Sequence, residues 1–421
     1  MPESKPRLSV CMILENDAAQ LSTALDSIKN IADEIIIVNT LQTNGGAASA
    51  HAYGAKVYEH PWQNDYSLHR NQSISYASGD WILIMNADEE LRSGHEALLS
   101  IMKTSSKNAV ALTHITLTAQ GRFESRRNEL RLLRASAALR YKDPLCEELD
   151  FDADYDFTDA QIVRDNTRLK RSVAMEKLER INDMLLGQHQ RDPQNPKYIY
   201  NLALNYLSWE MPGETIIAAE RAIDIIEKLK APERLKWKGI YYARAAAAVA
   251  LNDLQPAEHF ARKALLLDPD DMDAQAVLSA VYYKQKDSPL LRSVADRFME
   301  LHEGYRRDPA SAGLLPLYTF NQAAYVLMRV AVDIWRCGPP EEASAWYQKA
   351  LDSCSDFSRA VLVMYESLWR EGMYTQALHV LEVAVERSDY ERSLMDALVE
   401  AFARLHRSGD PVAGVVGPRA D

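Results

Sequence analysis

Two different spacings of hydrophobic residues divide this chain. Up to about residue 115, short apolar and β-branched runs alternate with amphipathic segments, and the runs cover residues 8–14, 34–38, 55–58, 81–85 and 109–116. Uninterrupted apolar runs of this length are typical of strands that are buried on both faces, which occur mainly in parallel sheets. The pattern therefore predicts an α/β domain with a mostly parallel sheet, and ligands of such sheets bind at the carboxyl ends of the strands.

From about residue 170 to about residue 407, helical periodicity takes the place of the strand pattern. Three segments each place two alanines seven residues apart, and the step from Ala350 to Ala384 is 34 residues. Small residues two turns apart on one face allow a neighbouring helix to approach closely, and 34 residues is the tetratricopeptide period. The pattern predicts tetratricopeptide-like helical repeats, with an all-helical bundle without repeats as the alternative. The alanine pairs are Ala257 and Ala264, Ala343 and Ala350, and Ala377 and Ala384.

These spacings divide the chain into three predicted parts. Residues 1–165 form the α/β domain, residues 166–408 form the helical repeat domain, and residues 409–421 form a disordered tail. Residues 143–165, at the end of the α/β domain, are polar and strongly acidic. We expect this stretch to be a solvated connection or a mobile lid. A repeat array supplies a binding groove without chemistry of its own, so any reaction is expected in the α/β domain.

Composition narrows the classes of partner. The chain has 48 basic and 60 acidic residues and a formal charge of -12, so the molecule as a whole repels nucleic acid. Its apolar runs are shorter than the roughly 18 residues that span a bilayer, and the first residues lack the apolar core of a signal peptide. We therefore expect a soluble, cytoplasmic protein. The four cysteines are too widely spaced to indicate a zinc site or a disulfide framework.

The most informative segment begins at Trp81 and reads WILIMNADEEL. An apolar strand here runs directly into Asn86, Asp88, Glu89 and Glu90, so carboxylates lie where the strand ends. A divalent cation can bridge such carboxylates to a diphosphate, because Mg²⁺ binds oxygen ligands and commonly phosphates as well. The alternative is a helix that begins here, since acidic residues in a first turn are stabilised by the helix dipole.

Two further polar residues lie beside predicted elements. Arg70 lies in a loop that enters an amphipathic helix, where it can hold a phosphate with help from Asp65 or Asn71, or lie in solvent. Asn39 closes the second predicted strand, and its amide can pair with the edge of a base or with the backbone of a turn. Spacing alone leaves both alternatives open.

The order of these segments resembles the family 2 glycosyltransferases of the GT-A type that carry helical repeats, a group that includes bacteriocin S-glycosyltransferases. The residues that carry the resemblance are LSVCMILEN from Leu8, LDSIKNIADEIIIVNT from Leu25, the segment 54–91 and RLLRASAALRY from Arg131. It continues into the repeats at residues 191–207 and covers most of the chain. The resemblance implies a GT-A fold, with a Rossmann-like and mostly parallel sheet. It also implies transfer of a sugar from a nucleotide diphosphate with an activating metal.

The resemblance assigns donor-binding roles to four positions. Asn39 lies where the family usually has an aspartate that contacts the nucleobase or ribose, and Arg70 follows the family's Ala-Arg-Asn pattern. Asn86 and Asp88 fall on the first and last positions of the DxD metal motif. The implied cofactor is a divalent metal, Mn²⁺ or Mg²⁺, held by Asp88 and Glu89.

The acceptor side of the implied site lies further along the chain. Glu147 and Glu148 stand where the related pattern reads roughly His-Glu-Glu. A carboxylate at this place can deprotonate the acceptor in an inverting, single-displacement reaction. The resemblance does not rank the two glutamates, because a general base is assigned by its reach to the proton.

Several positions depart from the family's pattern. Asn stands in place of Asp at Asn39 and Asn86, and Cys146 and Arg164 lie in the region where relatives place metal-binding histidines. Each Asp-to-Asn change keeps an acceptor oxygen but removes a charge, so the affinity for a divalent metal is expected to fall unless the remaining carboxylates suffice. Cys146 suits a softer ion than Mg²⁺. Alternatively, Arg164 and Arg134 neutralise the leaving diphosphate without a metal.

Three functions are consistent with this sequence. The first is a glycosyltransferase that moves a sugar with inversion from a nucleotide-diphosphate donor to a peptide, protein or glycan acceptor presented by the repeats. The second is a catalytically degenerate binding scaffold, because several polar positions of one site are altered. The third is a glycosyltransferase acting on modified nucleic acid. This third function is favoured by a basic stretch that consists of Arg122, Arg126, Arg127, Arg131, Arg134, Arg140 and Lys142. Whatever the function, helical repeats of this kind also allow a homodimer.

Overall fold

The computed structural model describes residues 5–15, 18–40, 46–118, 124–151, 153–353, 357–388 and 390–408. The chain forms two compact units. Met1–Ala274 and Glu303–Phe320 make up the first unit, and Gln275–His302 and Asn321–Asp421 make up the second. The tail predicted at residues 409–421 lies outside the described residues.

The first unit contains a large mixed sheet. Its strand order is β3-β2-β1-β4-β7-β6-β10-β5, and β8 pairs with β9 in a separate ribbon. Strands β3, β2, β1 and β4 are mutually parallel, and β7 is antiparallel to β4 and β6. Strand β10 is parallel to β6 and antiparallel to β5. The bounds are β1 Leu8–Leu14, β2 Glu34–Asn39, β3 Lys56–Glu59, β4 Trp81–Asn86, β5 Glu89–Ser93, β6 Ala109–Leu117, β7 Glu124–Arg134, β8 Tyr141–Lys142, β9 Glu148–Leu149 and β10 Asp156–Asp165.

The sheet is covered on both faces, which explains the uninterrupted apolar runs. Strand β4 sends Trp81, Leu83 and Met85 into one hydrophobic core and Ile82 and Ile84 into another. Every residue of β1 and of β2 is buried. The five strands predicted from the sequence are confirmed, each to within one residue at either end.

The acidic stretch before residue 165 is not a solvated connection throughout. Its second part forms β10, which lies inside the sheet between β6 and β5. Thr158, Ala160, Ile162 and Val163 are buried there, and acidic residues lie between and beside them. The prediction was wrong for this strand because its charged positions hid a half-buried alternation. Strands β7 and β5 were missed for the same reason, since both carry charged residues on a sheet.

Helices cover the rest of the described chain. Their bounds are α1 Ala18–Ile28, α2 Ala47–Ala52, α3 Tyr66–Ser75, α4 His95–Thr104, α5 Arg171–Arg191, α6 Pro196–Ser208, α7 Pro212–Ile226, α8 Ala231–Leu235, α9 Gly239–Ala250, α10 Leu254–Leu267, α11 Met272–Gln285, α12 Ser288–Arg307, α13 Ala323–Cys337, α14 Pro340–Asp352, α15 Phe357–Arg370, α16 Tyr374–Arg387 and α17 Arg392–Ser408. Within this part of the chain, no helix is both long enough and apolar enough to cross a bilayer. The change from strands to helices lies between Asp165 and Arg171, whereas the compact units divide the chain at other positions.

The helices pack as consecutive pairs. Helix α6 packs on α7, α9 on α10, α13 on α14, and α15 on α16. Helix α13 begins at Ala323 and α15 begins at Phe357, a step of 34 residues. Tetratricopeptide-like repeats are thus confirmed by helix length, pairing and period. The predicted alanine pairs lie on the second helix of a pair and are fully buried: Ala257, Ala264, Ala343, Ala350, Ala377 and Ala384.

One glycine is required where α4 meets β10. Gly94 has φ +79°, and a Cβ added there would lie 2.3 Å from the Ala160 Cα and 2.7 Å from its backbone nitrogen. We expect Gly94→Ala to lower the free energy of unfolding by about 2–4 kcal/mol, through backbone strain and overpacking together. Urea-induced unfolding measures this loss.

Gly54→Ala is the matched control for Gly94→Ala. Gly54 has φ +72°, but an added Cβ there meets no atom within 4 Å. Only the strain of a left-handed residue remains, so this control is expected to cost about 1 kcal/mol. Equal losses in the two variants would contradict the close approach of Gly94 to β10.

Candidate active site

The carboxyl ends of several strands meet at one edge of the sheet. Strands β1, β2 and β4 end at Leu14, Asn39 and Asn86, and they are parallel. Strand β7 is antiparallel to β4 and to β6, and β10 is parallel to β6, so β10 ends at the same edge. Arg164, near the end of β10, is thereby brought to the edge that carries the acidic turn after β4.

The turn after β4, residues 86–89, is here called the motif turn. Glu89 closes it, because one of its oxygens accepts from the backbone N–H of Asn86 at 2.7 Å and the other from the Asn86 side chain at 2.7 Å. Glu89 then begins strand β5. The sequence alternative of a helix that begins at these acids is therefore wrong, and the acids do lie at a strand's exit.

Glu89 is fully buried and contacts two arginines and a histidine. Its carboxylate is 3.0 Å from the His114 Nε2, 3.0 Å from an Arg164 nitrogen and 3.3 Å from an Arg131 nitrogen. Burial by itself raises the pKa of Glu89, but Arg131, Arg164 and His114 outweigh burial and hold the pKa well below its ordinary value. Glu89 is accordingly an ion-paired carboxylate that stabilises the turn.

Asp88 carries two cations of its own. The Arg164 Nε lies 3.2 Å from its carboxylate, and the Lys177 Nζ donates to it at 2.8 Å. Burial raises the pKa of Asp88, yet Arg164 and Lys177 lower it further than burial raises it, so the net pKa lies below the ordinary value. Lys177 belongs to α5, which places a helix of the predicted repeat domain beside the motif turn.

The donor set of the motif turn does not fit a divalent metal as it is arranged. A hard cation needs several carboxylate or carbonyl oxygens that are directed at one point. Instead, Asp88 and Glu89 face cationic side chains, and the Asn86 Oδ1 accepts from Arg70 at 3.0 Å. Among the described residues there is also no group of three or more His, Cys, Asp or Glu side chains that could hold a metal ion.

Arg70, on helix α3, is buried beside the motif turn. Its Nη2 donates to the Asn86 Oδ1 at 3.0 Å and to the Glu147 carboxylate at 2.5 Å. The sequence alternative of a solvated arginine is therefore wrong. Its Nε and Nη1 are buried and donate to no atom of the described residues. Buried donors without acceptors are costly, so this side chain is suited to an additional anionic partner.

The two candidate bases face different surroundings. The Glu147 side chain is 18% exposed and pairs with Arg70, whereas the Glu148 side chain is 51% exposed and pairs with Lys197 at 2.9 Å. The loop turns sharply before them, because Cys146 has a left-handed backbone with φ 53°. Of the two glutamates, Glu147 is the one that lies beside Arg70 at the sheet edge.

The thiol of Cys146 lies in a place that raises its pKa. Burial, followed by the charge of Glu147, raises the pKa of its thiol to about 12. Among the described residues, no group of three or more His, Cys, Asp or Glu side chains could hold a metal ion. The expectation that Cys146 holds a soft ion therefore stays a prediction.

Residues 9–164 match the family model described as glycosyl transferase family 2. This match spans the sheet, the motif turn and the loop that carries Glu147. Residues 9–164 belong to glycosyltransferase family 2. Glycosyl transfer is the activity that this membership supports for the domain.

Known relatives carry the names of glycosyltransferases and of a TPR repeat-containing protein. The chain is 42% identical over 85 residues to a TPR repeat-containing protein of Synechococcus elongatus, which covers 20% of this chain and 21% of that protein. It is 40% identical over 85 residues to an uncharacterised glycosyltransferase of Rickettsia felis, covering 20% of this chain and 30% of that protein. The glycosyltransferase SunS of Bacillus subtilis is 27% identical over 85 residues, 20% of each chain. The alignments thus span only about a fifth to a third of these relatives.

Two solved structures are similar to this chain at low overall similarity. Glucosyl-3-phosphoglycerate synthase from Mycobacterium tuberculosis, in complex with Mn²⁺ and UDP-glucose, has a TM-score of 0.23 at 20% identity over 26% of this chain and 44% of that chain. The protein MamA has a TM-score of 0.33 at 15% identity, over 44% of this chain and 86% of that chain.

Asn39 and Arg134, both predicted to bind the nucleotide-sugar donor, lie at different ends of the strands. Asn39 lies at the expected edge, where its amide donates to both oxygens of Glu59 at 3.1 and 2.9 Å. Arg134 does not, because it pairs in register with Trp81 at the opposite end of β4 and stacks over that ring at 4.3 Å. The structure therefore does not bring Arg134 to the site, and of the two arginines predicted to neutralise the diphosphate only Arg164 reaches it.

The residues that sequence reasoning missed are mainly basic. Lys177 and Arg180 lie three positions apart on α5 and so share a helix face, and Arg180 pairs with Glu15 after β1 at 3.0 Å. They were assigned to the repeats and thus away from the chemistry. His114 was missed because it lies in a buried strand, and Arg131 because it lies in a basic stretch. Neither pattern indicates that the two residues share a carboxylate partner. The spacing of Lys177 and Arg180, three positions apart on one helix, was the signal that could have indicated a basic helix face at the site.

The basic stretch that favoured nucleic acid is largely engaged in contacts within the first compact unit. Arg131 pairs with Glu129 and Glu89, and Arg127 also pairs with Glu129. Arg126 stacks on the ring of Phe320 at 4.0 Å. Arg122 lies outside the described residues. These contacts leave few of the arginines to meet a phosphate backbone, and no observation favours the nucleic-acid alternative.

Proposed function

We propose that the family 2 domain transfers a sugar from a nucleotide-diphosphate donor to a peptide, protein or glycan acceptor, with inversion at the anomeric carbon. The observation that carries this proposal is the buried Arg70, which connects Asn86 of the motif turn to Glu147. A guanidinium that can bind the nucleotide-sugar donor and a carboxylate that can act as the base are thereby held at one edge of the sheet. The helical repeats would present the acceptor, and a homodimer through them stays a prediction.

Arg70 supports an anionic donor. Its guanidinium has two buried N–H groups that donate to no described atom. Phosphate oxygens, like carboxylate oxygens, match the hydrogen-bonding geometry of a guanidinium. A donor phosphate beside Arg70 would satisfy these groups, and Asn39 at the end of β2 would lie on the nucleoside side of the same edge, as the resemblance implies.

Glu147 supports base catalysis by position. An inverting transfer needs one carboxylate that accepts the acceptor's proton as the new glycosidic bond forms. Glu147 is the less exposed of the two glutamates, and its carboxylate pairs with Arg70. Glu148 would keep its pairing with Lys197 and play no direct part.

A non-catalytic scaffold is the second candidate, and one observation favours it. The motif carboxylates Asp88 and Glu89 are already ion-paired within the protein. A domain that had lost its donor would also be stable in this arrangement. Donor binding is therefore the property that separates the two candidates.

Thermal unfolding with a panel of nucleotide sugars tests the proposal. A ligand at 100 times its Kd adds about 2.7 kcal/mol to the stability of the folded state, which corresponds to a rise of about 5–10 °C in the unfolding midpoint. We expect one donor to produce such a rise in the wild type and less than half of it in Arg70→Met. Each variant is compared with its own ligand-free midpoint, so that a stability loss is not mistaken for a binding loss.

Arg92→Met is the matched control for Arg70→Met. Arg92 is a more exposed arginine of the same domain and pairs with Glu90. Its replacement is expected to leave the donor-induced rise unchanged. If no nucleotide sugar raises the wild-type midpoint, the transferase proposal fails and the scaffold is favoured.

A further inference from the structure

In this domain, positively charged side chains contact the motif turn at the place where a metal-dependent site holds a metal ion. We propose that Lys177 and Arg164 bind the donor's diphosphate directly, in the place of a divalent metal, an inference that rests on the proposed function. Both side chains contact Asp88, and Arg164 also contacts Glu89. A dication at Asp88 would have to displace or approach these two positive groups.

The relative exposure of the charged groups supports this arrangement. The Asp88 side chain is 3% exposed and the Glu89 side chain is 0% exposed, whereas Arg164 and Lys177 are 28% and 30% exposed. The carboxylates therefore lie beneath, and the cations form the surface that solvent reaches. A ligand that arrives at the motif turn meets positive charge first, which suits a diphosphate and not a metal ion.

The transfer step balances with these residues alone. The acceptor atom forms a bond to the anomeric carbon while the bond from that carbon to the β-phosphate oxygen breaks. The electron pair of the broken bond stays on that oxygen, and the acceptor's proton passes to Glu147. Lys177 and Arg164 stabilise the negative charge that develops on the diphosphate, because fixed cations at a leaving group lower the energy of the transition state.

Calorimetric titration with UDP, GDP, ADP, CDP and dTDP, in EDTA and in excess Mn²⁺, tests the inference. We expect one of these diphosphates to bind the wild type with Kd values that differ by less than about 3-fold between the two buffers. Lys177→Met is expected to weaken that binding by at least about 10-fold in EDTA, because it removes a hydrogen bond from a charged group. Lys177→Arg should restore most of the affinity, and Arg171→Met, an exposed cation on the same helix, should leave it unchanged.

The outcomes separate this inference from the proposed function. Binding that requires Mn²⁺, or that survives Lys177→Met, overturns the inference but keeps the donor site. Failure of all five diphosphates to bind in either buffer overturns both.

A second measurement does not depend on a diphosphate. Mn²⁺ is titrated by electron paramagnetic resonance into the wild type and into the double variant Arg164→His, Lys177→Met. The double variant exposes Asp88 and adds an imidazole ligand, so it should bind Mn²⁺ at least about 10-fold more tightly than the wild type. Equal or tighter binding by the wild type would overturn the inference.

Discussion

Glu147→Gln is expected to lower the rate of sugar transfer by about 100- to 10,000-fold, the range that a positioned general base contributes. Glutamine keeps the size of the side chain and an oxygen that can accept from Arg70, but it cannot take a proton from the acceptor. The rate is measured as formation of nucleoside diphosphate from the donor found in the thermal panel. Donor affinity should remain within about 3-fold of the wild type, because the change removes a base and leaves the donor-binding groups in place.

Glu148→Gln provides the control for Glu147→Gln. Glu148 is the neighbouring residue of the same type, and its side chain pairs with Lys197 away from Arg70. Its replacement should change the rate by less than about 3-fold, because a half-exposed ion pair of this kind contributes little. A greater loss with Glu148→Gln than with Glu147→Gln would assign the base to Glu148 and contradict the ranking drawn from the pairing of the two glutamates.

Glu89→Ala should lower the free energy of unfolding of the first compact unit by about 3–5 kcal/mol, because it removes the buried carboxylate that two arginines and a histidine share. Arg131, Arg164 and His114 all lie within 3.3 Å of the Glu89 carboxylate, and its side chain is fully buried. The change also removes the acceptor for two hydrogen bonds from Asn86. Urea-induced unfolding followed by circular dichroism measures the loss.

Glu90→Ala separates the role of Glu89 from that of any acidic residue in this turn. Glu90 is adjacent, partly exposed and paired with Arg92 at 3.2 Å. An ion pair of this kind is worth about 0–1 kcal/mol, so this variant should unfold close to the wild type. If both variants lose the same free energy, the buried cluster around Glu89 contributes less than its contacts indicate.

The site illustrates which residues a sequence can assign and which it cannot. Asn86 and Asp88 were found because an apolar strand leads directly into them, and the structure places both at the sheet edge. Arg164 also reaches that edge, although the stretch around it was expected to be a connection. Arg134 was expected beside it, but the antiparallel direction of β7 carries Arg134 to the other end of β4. Strand direction is a property of the assembled sheet, so spacing along the chain could not decide between them.

Lys177 is a residue of the site that sequence reasoning assigned elsewhere. It belongs to α5, and the change of hydrophobic spacing near residue 170 assigned that helix to the repeats. The assignment of α5 as a helix was sound, because helical periodicity is a local signal. The contact of Lys177 with Asp88 joins residues 89 positions apart, and only the packing of the folded unit brings them together.

The sequence by itself determined the two classes of structure, because hydrophobic period is a local property. Apolar runs marked five strands of the sheet, and alanines seven residues apart marked the faces where helices pack, and these six alanines are buried. Tertiary structure alone decided the partners of the charged groups. Strand order brought Arg131 and His114 to Glu89, and helix packing brought Lys177 to Asp88. A charged residue in a sequence can lie in solvent or in a buried pair, and only the position of its partner separates these two fates.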